Sequence, residues 1–172
     1  RFLTFELGKE NKEGLRRVFS TSITIQLIIS VIIVIIAESI GLWYINNVMV
    51  IPPNRLVAAN WCYQFSIVTC VIGLLVVPYN SLIIAHERMS IYAYMGIFSS
   101  FFALGIAVLL AYSPIDKLIF YGLLLLLSTF ISFIVYVLYC RRHFEEACFV
   151  IDFDKDIFRT MFGFAGWNVI GA

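Results

Sequence analysis

The chain has 172 residues, of which 62% are hydrophobic and 13% charged, with a formal net charge of +1 and a mean hydropathy of +0.95. A soluble domain is roughly 45 to 50% apolar and about 25% charged, so water is excluded as the main solvent of this chain. The near-zero charge balance gives no support to a nucleic-acid partner, and the four cysteines, Cys62, Cys70, Cys140 and Cys148, form no CxxC pair and lie near no histidine cluster. They read as small packing residues rather than as zinc ligands.

Residues 1–17 mix Arg1, Lys9, Lys12, Arg16 and Arg17 with Glu6, Glu10 and Glu13 and are expected at the membrane surface. They lack the order and length of a cleaved signal peptide. A first span is expected over about 18–45, ending with Trp43 and Tyr44 at the level of an interfacial aromatic belt. The loop after it carries Asn46, Asn47, Pro52, Pro53, Asn54 and Arg55. A second span, about 59–85, opens with Trp61 and Tyr63 and is expected to bend or break near Pro78, whose missing N–H frees a carbonyl one turn earlier.

After a tight turn at His86, Glu87 and Arg88, a third span covers about 91–112. Ser99, Ala103, Ala107 and Ala111 recur in it every four residues, a ridge of small side chains that predicts a close helix-packing face. The fourth span, about 115–140, is a near-continuous Leu, Ile, Phe and Val run expected to be largely lipid-exposed. Each run is long enough to cross a hydrocarbon core of roughly 30 Å, which takes about 20 apolar helical residues. A connector at 141–159 mixes acidic, basic and aromatic residues as an interfacial segment would. The start of a fifth span is expected at 160–172, and the pattern stops there in mid-course, as in an excerpt of a longer chain. The expected fold class is therefore all-α, a polytopic transmembrane helical bundle.

Ten of the twelve lysines and arginines fall in 1–17, 86–90 and 141–159, leaving only Arg55 and Lys117 on the other side. The positive-inside rule places those three segments in the cytoplasm.

Few residues in the spans carry chemistry. Glu38 is the one ionisable side chain within an apolar run, a position that often marks an ion or proton path; it also lies five residues before Trp43, close to the outer interface. His86 and Glu87 begin an HExxH pattern, but Ser90 stands where the second histidine would be needed, so no zinc site forms. There is no GxSxG elbow, no phosphate-cradling glycine loop and no pair of carboxylates within the spans, so no catalytic residues, metal or cofactor are expected. Arg88 offers a forked cation to a lipid phosphate, or serves as a topological anchor. On the second span, Cys62, Ser66, Thr69, Gly73 and Asn80 share a sector of about 60°. That stripe either packs against a neighbouring helix or lines a polar passage.

The segments Ala37, Glu38, Ser39, Ile40, Gly41, Leu42, Trp43, then Val77, Pro78, Tyr79, Asn80, then Ala85, His86, Glu87, Arg88, Met89, and finally Gly166, Trp167, Asn168 resemble bacterial polysaccharide flippases. These are lipopolysaccharide biosynthesis proteins of the multidrug, oligosaccharidyl-lipid and polysaccharide exporter superfamily, Bacteroides-like in type. The resemblance implies a fragment of a two-lobe transporter of six plus six helices, with first-lobe helices in 1–140, a cytoplasmic interlobe connector at 141–159 and the start of the next helix at 160–172. It further implies residence in the bacterial inner membrane, the remaining helices of a longer chain as partners, and an undecaprenyl pyrophosphate-linked oligosaccharide as substrate. Candidate substrate-path residues are then Ser66, Thr69, Asn80, Arg88 and Asn168, with Glu38 as the candidate for a coupling ion. A cation-coupled drug exporter of the same superfamily, a non-transporting membrane scaffold and an intramembrane enzyme are the alternatives.

Overall fold

A computed structural model of the chain describes residues 2–8, 12–52, 55–113 and 116–147. Most of the expected connector, the start of the fifth span with Asn168, and Cys148 lie outside the described residues. Helices and short turns account for the described chain, with no strand among the described residues. A short helix α1 (Phe2–Gly8) precedes α2 (Lys12–Ile36). A π turn at Ala37–Gly41 joins α2 to α3 (Leu42–Asn47), and α4 (Leu56–Ala85), α5 (Met89–Tyr112) and α6 (Lys117–His143) follow, closed by a 3-10 turn at Glu145–Ala147. Four helical stretches are long and apolar enough to cross a membrane: Lys12–Asn47, Leu56–Ala85, Met89–Tyr112 and Lys117–His143.

The serines and threonines of these helices show how polar side chains survive in them. Ser22, Thr24 and Ser30 of α2, Ser66, Thr69 and Ser81 of α4, Ser100 of α5, and Thr129 and Ser132 of α6 each donate to the carbonyl four residues earlier. A hydroxyl satisfied within its own helix needs no partner from lipid or from another helix.

Helix α6 begins on Asp116, whose carboxylate accepts from the Leu118 N–H at 3.1 Å, and ends on Arg141, Arg142 and His143. An acceptor at the first turn and cations at the last both suit the helix dipole. The turn between α4 and α5 is a Schellman closure. The Arg88 N–H reaches the Ile83 carbonyl and the Glu87 N–H the Ile84 carbonyl, while Glu87 takes φ 56°. Glycine usually fills that left-handed position, and a glutamate there stores strain.

Helix α4 is central. It packs most extensively on α6, and also on α2 and α5. Gly122 of α6 permits the closest approach, since a Cβ there would lie 3.1 Å from the Phe65 ring and 3.5 Å from Cys62 Cα. The densest apolar packing is at one end of the bundle, where Leu3, Leu15, Val18, Phe19 and Ile23 meet Leu82, Ile83, Ala85, Cys140, Phe144 and Ala147.

The structure bears on three expectations. Of the bend or break expected near Pro78, the break does not occur: α4 runs unbroken through Pro78, which is buried within it, and one missing donor does not end a helix so embedded. The α5 ridge of Ser99, Ala103, Ala107 and Ala111 is exposed, and α5 instead buries Ile106, so the described residues leave the ridge uncovered. Helix α6 is uncovered over most of its surface, as expected: Leu123, Leu127, Phe130 and Leu138 are exposed, and one side packs along α4, where Gly122 is buried.

Candidate functional site

The polar seam between the end of α2 with α3 and the first half of α4 is the strongest candidate. A helical rise of 1.5 Å per residue places Glu38 about 30 Å from Arg17, and Gln64 about 30 Å from the end of α4 at Ala85. That distance is roughly the hydrocarbon thickness. Both side chains therefore sit where the core gives way to the headgroups at one end of the spans, with Trp43 and Trp61 exposed beyond them.

The seam is built around an irregular backbone. In the π turn at Ala37–Gly41 the Leu42 N–H donates to the Ala37 carbonyl, five residues back instead of four. The same carbonyl accepts a second bond, from the Tyr63 hydroxyl at 2.9 Å. Gly41 makes this possible, because a Cβ at that position would overlap the Tyr63 hydroxyl. Beside it, Gln64 Nε2 donates to Glu38 Oε2 at 3.2 Å. Beyond it, Asn60 Nδ2 donates to Asn46 Oδ1 at 3.2 Å. Asn60, Tyr63 and Gln64 fall at i, i+3 and i+4, so α4 presents all three on one face. Asn60 Oδ1 is enclosed and has no partner among the described residues. Turns of the π type are rare and recur at functional sites; this one holds Glu38, the carboxylate that lies within the uncharged apolar part of the first span.

The stripe expected on α4 does not act as a unit. Cys62 packs against Gly122. Ser66 is exposed, and nothing lies within 4 Å of a Cβ placed at Gly73. Thr69 is half-buried, its hydroxyl donating to the Phe65 carbonyl at 2.7 Å. Asn80 encloses its Oδ1 without a partner among the described residues. Packing thus accounts for Cys62, while Ser66 and Gly73 stay uncovered in the described fold.

At the opposite end, the Arg88 guanidinium donates to the Tyr139 hydroxyl at 3.2 Å and lies 5.8 Å from the centre of the Phe144 ring. His86 stacks on the same Phe144 ring, 4.2 Å between ring centres. Burial pushes the His86 imidazole below its ordinary value, against the pull of Glu146 and with the help of Arg88. Arg88 thus closes the bundle end while remaining exposed to water. No group of three or more His, Cys, Asp or Glu able to hold a metal ion occurs among the described residues.

Sequence reading singled out Glu38 and Arg88 and missed Asn46, Asn60, Tyr63 and Gln64. The i, i+3, i+4 spacing of the three α4 residues was the one signal that pointed to them. Tyr63 draws the eye as an interfacial aromatic rather than as a hydrogen-bond donor. No family model, curated protein or solved structure matches the chain.

Proposed function

We propose that this chain is a segment of a membrane transporter, not an enzyme, that moves a lipid-linked oligosaccharide across a bacterial inner membrane by alternating access. In this reading 1–17, 86–90 and 141–159 face the cytoplasm. The chain belongs to the first lobe of a two-lobe bundle whose remaining helices complete the cavity, and the substrate is of the undecaprenyl pyrophosphate type. The observation that carries the reading is the placement of two segments that resemble polysaccharide flippases. The one from Ala37 to Trp43 contains the π turn and Glu38, and the one from Ala85 to Met89 contains the Schellman turn with Arg88. The irregular backbone of the described spans therefore falls within the residues that carry the resemblance.

A second reading, a cation-coupled drug exporter, is favoured by Glu38 alone, a carboxylate at the outer boundary whose partner among the described residues is the neutral Gln64 amide. One assay separates the two. The intact protein in proteoliposomes, given an undecaprenyl pyrophosphate-linked oligosaccharide with a fluorescent tag, should transfer the tag between leaflets faster than empty liposomes. Ethidium movement driven by a proton or sodium gradient, without sugar transfer, would select the exporter; neither activity would leave a scaffold.

A further inference from the structure

We propose that the π turn at Ala37–Gly41 is a hinge with two helical registers, and that the Tyr63 hydroxyl holds it in the one seen here. The Ala37 carbonyl has two competing sets of donors. In the present register it takes the Leu42 N–H and the Tyr63 hydroxyl. In plain α-helix it would take the Gly41 N–H, four residues on. The hydroxyl occupies the space next to Gly41 where any larger residue would place its Cβ, so the π register and the seated tyrosine require each other.

Leaving the π register adds one residue's worth of winding. Everything beyond the turn then rotates by about 100° relative to α2. The contacts on either side of the turn respond differently. Glu38 lies at its start and keeps its direction toward Gln64. Asn46 lies beyond it and is carried away from Asn60. The hinge thus frees only the outer end of the first span, Leu42–Asn47, from α4, which is the motion needed to separate a pair of helices at one membrane face while they stay joined at the other. The exposed Trp43 and Tyr44 would turn with that segment. The device requires no particular cargo and stands apart from the proposed transport of sugars.

The test is cross-linking in the intact protein in nanodiscs, with the native cysteines replaced by serine. One pair, Asn46→Cys with Asn60→Cys, reports the segment beyond the hinge, and a second, Glu38→Cys with Gln64→Cys, reports the seam at its start. Each pair is treated with a short bifunctional thiol reagent with and without Tyr63→Phe, which removes the hydroxyl and keeps the ring. The expected result is a lower cross-linking rate for the 46–60 pair, by up to about fivefold, the change in the register equilibrium that loss of one ordinary hydrogen bond produces, and an unchanged rate for the 38–64 pair. Gly41→Ala, which expels the hydroxyl from the other side, should act in the same direction; if that variant does not fold, Tyr63→Phe decides alone. An unchanged 46–60 rate in Tyr63→Phe, or an equal fall in both pairs, overturns the hinge.

Discussion

The two ends of this bundle are held together by different physics. At the cytoplasmic end of the expected topology, α1, the start of α2, the end of α4, the end of α6 and the 3-10 turn enclose an apolar cluster in which Phe19, Leu82, Ile83 and Cys140 have no exposed surface. At the outer end, α2–α3 and α4 meet through hydrogen bonds at Ala37, Glu38 and Asn46. Between them, α2 leaves Leu27, Val31, Ile32, Ile35 and Ile36 exposed. Lipid is as apolar as leucine, so burying leucine in a bilayer gains little. Only where the chain emerges into water does apolar burial drive assembly. The apolar cluster therefore belongs at a membrane face, and an end held by polar contacts and one glycine notch is the end that can be released.

That contrast is broken or sharpened first by core truncation. Phe19→Ala removes a fully buried ring that packs edge-on against Tyr79 at 5.4 Å, and should cost about 3 to 5 kcal/mol in reversible unfolding. Ile32→Ala, on the exposed middle of the first span, should change stability by less than about 1 kcal/mol. Equal losses would mean that the middle of the helix is as tightly covered as its end, and the distinction between the two regions would fail.

Much of this architecture was legible in the sequence because charge is so unevenly placed. The apolar runs give four spans in the right order, and the structure extends the first outward from about 18–45 to Lys12–Asn47, since helices continue past the bilayer where backbone bonding still favours them. The seam was not legible for the same reason that it is unusual. Nothing in the residues from Ala37 to Gly41 announces a π turn, because its cause lies 22 positions beyond Gly41, in the Tyr63 hydroxyl that fills the glycine notch. The Schellman turn was hidden because Glu87 stands where glycine normally signals one. The α5 ridge shows the converse limit: spacing identifies a surface that allows close approach, but does not say whether the described chain supplies the partner.

A smaller effect concerns pH. His86 is partly buried against Phe144, with Nε2 enclosed and unpartnered among the described residues. Its folded-state value is lowered from 6.5, first by burial, with Glu146 opposing and Arg88 assisting. A group lowered in the folded state binds its proton more readily when unfolded. The stability it confers is therefore complete above about 6.5 and is lost as the pH falls through the lowered folded value. Between pH 7.5 and 5.5 the melting temperature should fall more in the unchanged protein than in His86→Phe, which keeps the stack without the titration. Parallel curves would show that the imidazole stays open to water at this end and that the cluster does not feel its charge.

The smallest expected effect is at the ion pair between Lys12 and Glu145. Lys12 Nζ and Glu145 Oε2 are 2.9 Å apart and join the start of α2 to the 3-10 turn, yet their side chains are 73% and 83% exposed. In water such a pair gains little, because solvent and salt screen the attraction and both long side chains give up rotamer freedom to meet. The same two elements are already joined beneath it by Leu15, Val18, Phe144 and Ala147, whose burial needs no particular side-chain geometry at the surface. Lys12→Ala should therefore leave the melting temperature unchanged within measurement error, at low and at physiological salt alike. A loss approaching that of Phe19→Ala, or one that appears only at low salt, would move the origin of stability at this end from apolar burial to charge. The contrast between a packed end and a hydrogen-bonded end would then have to be recast as one between an ionic and a neutral polar seam.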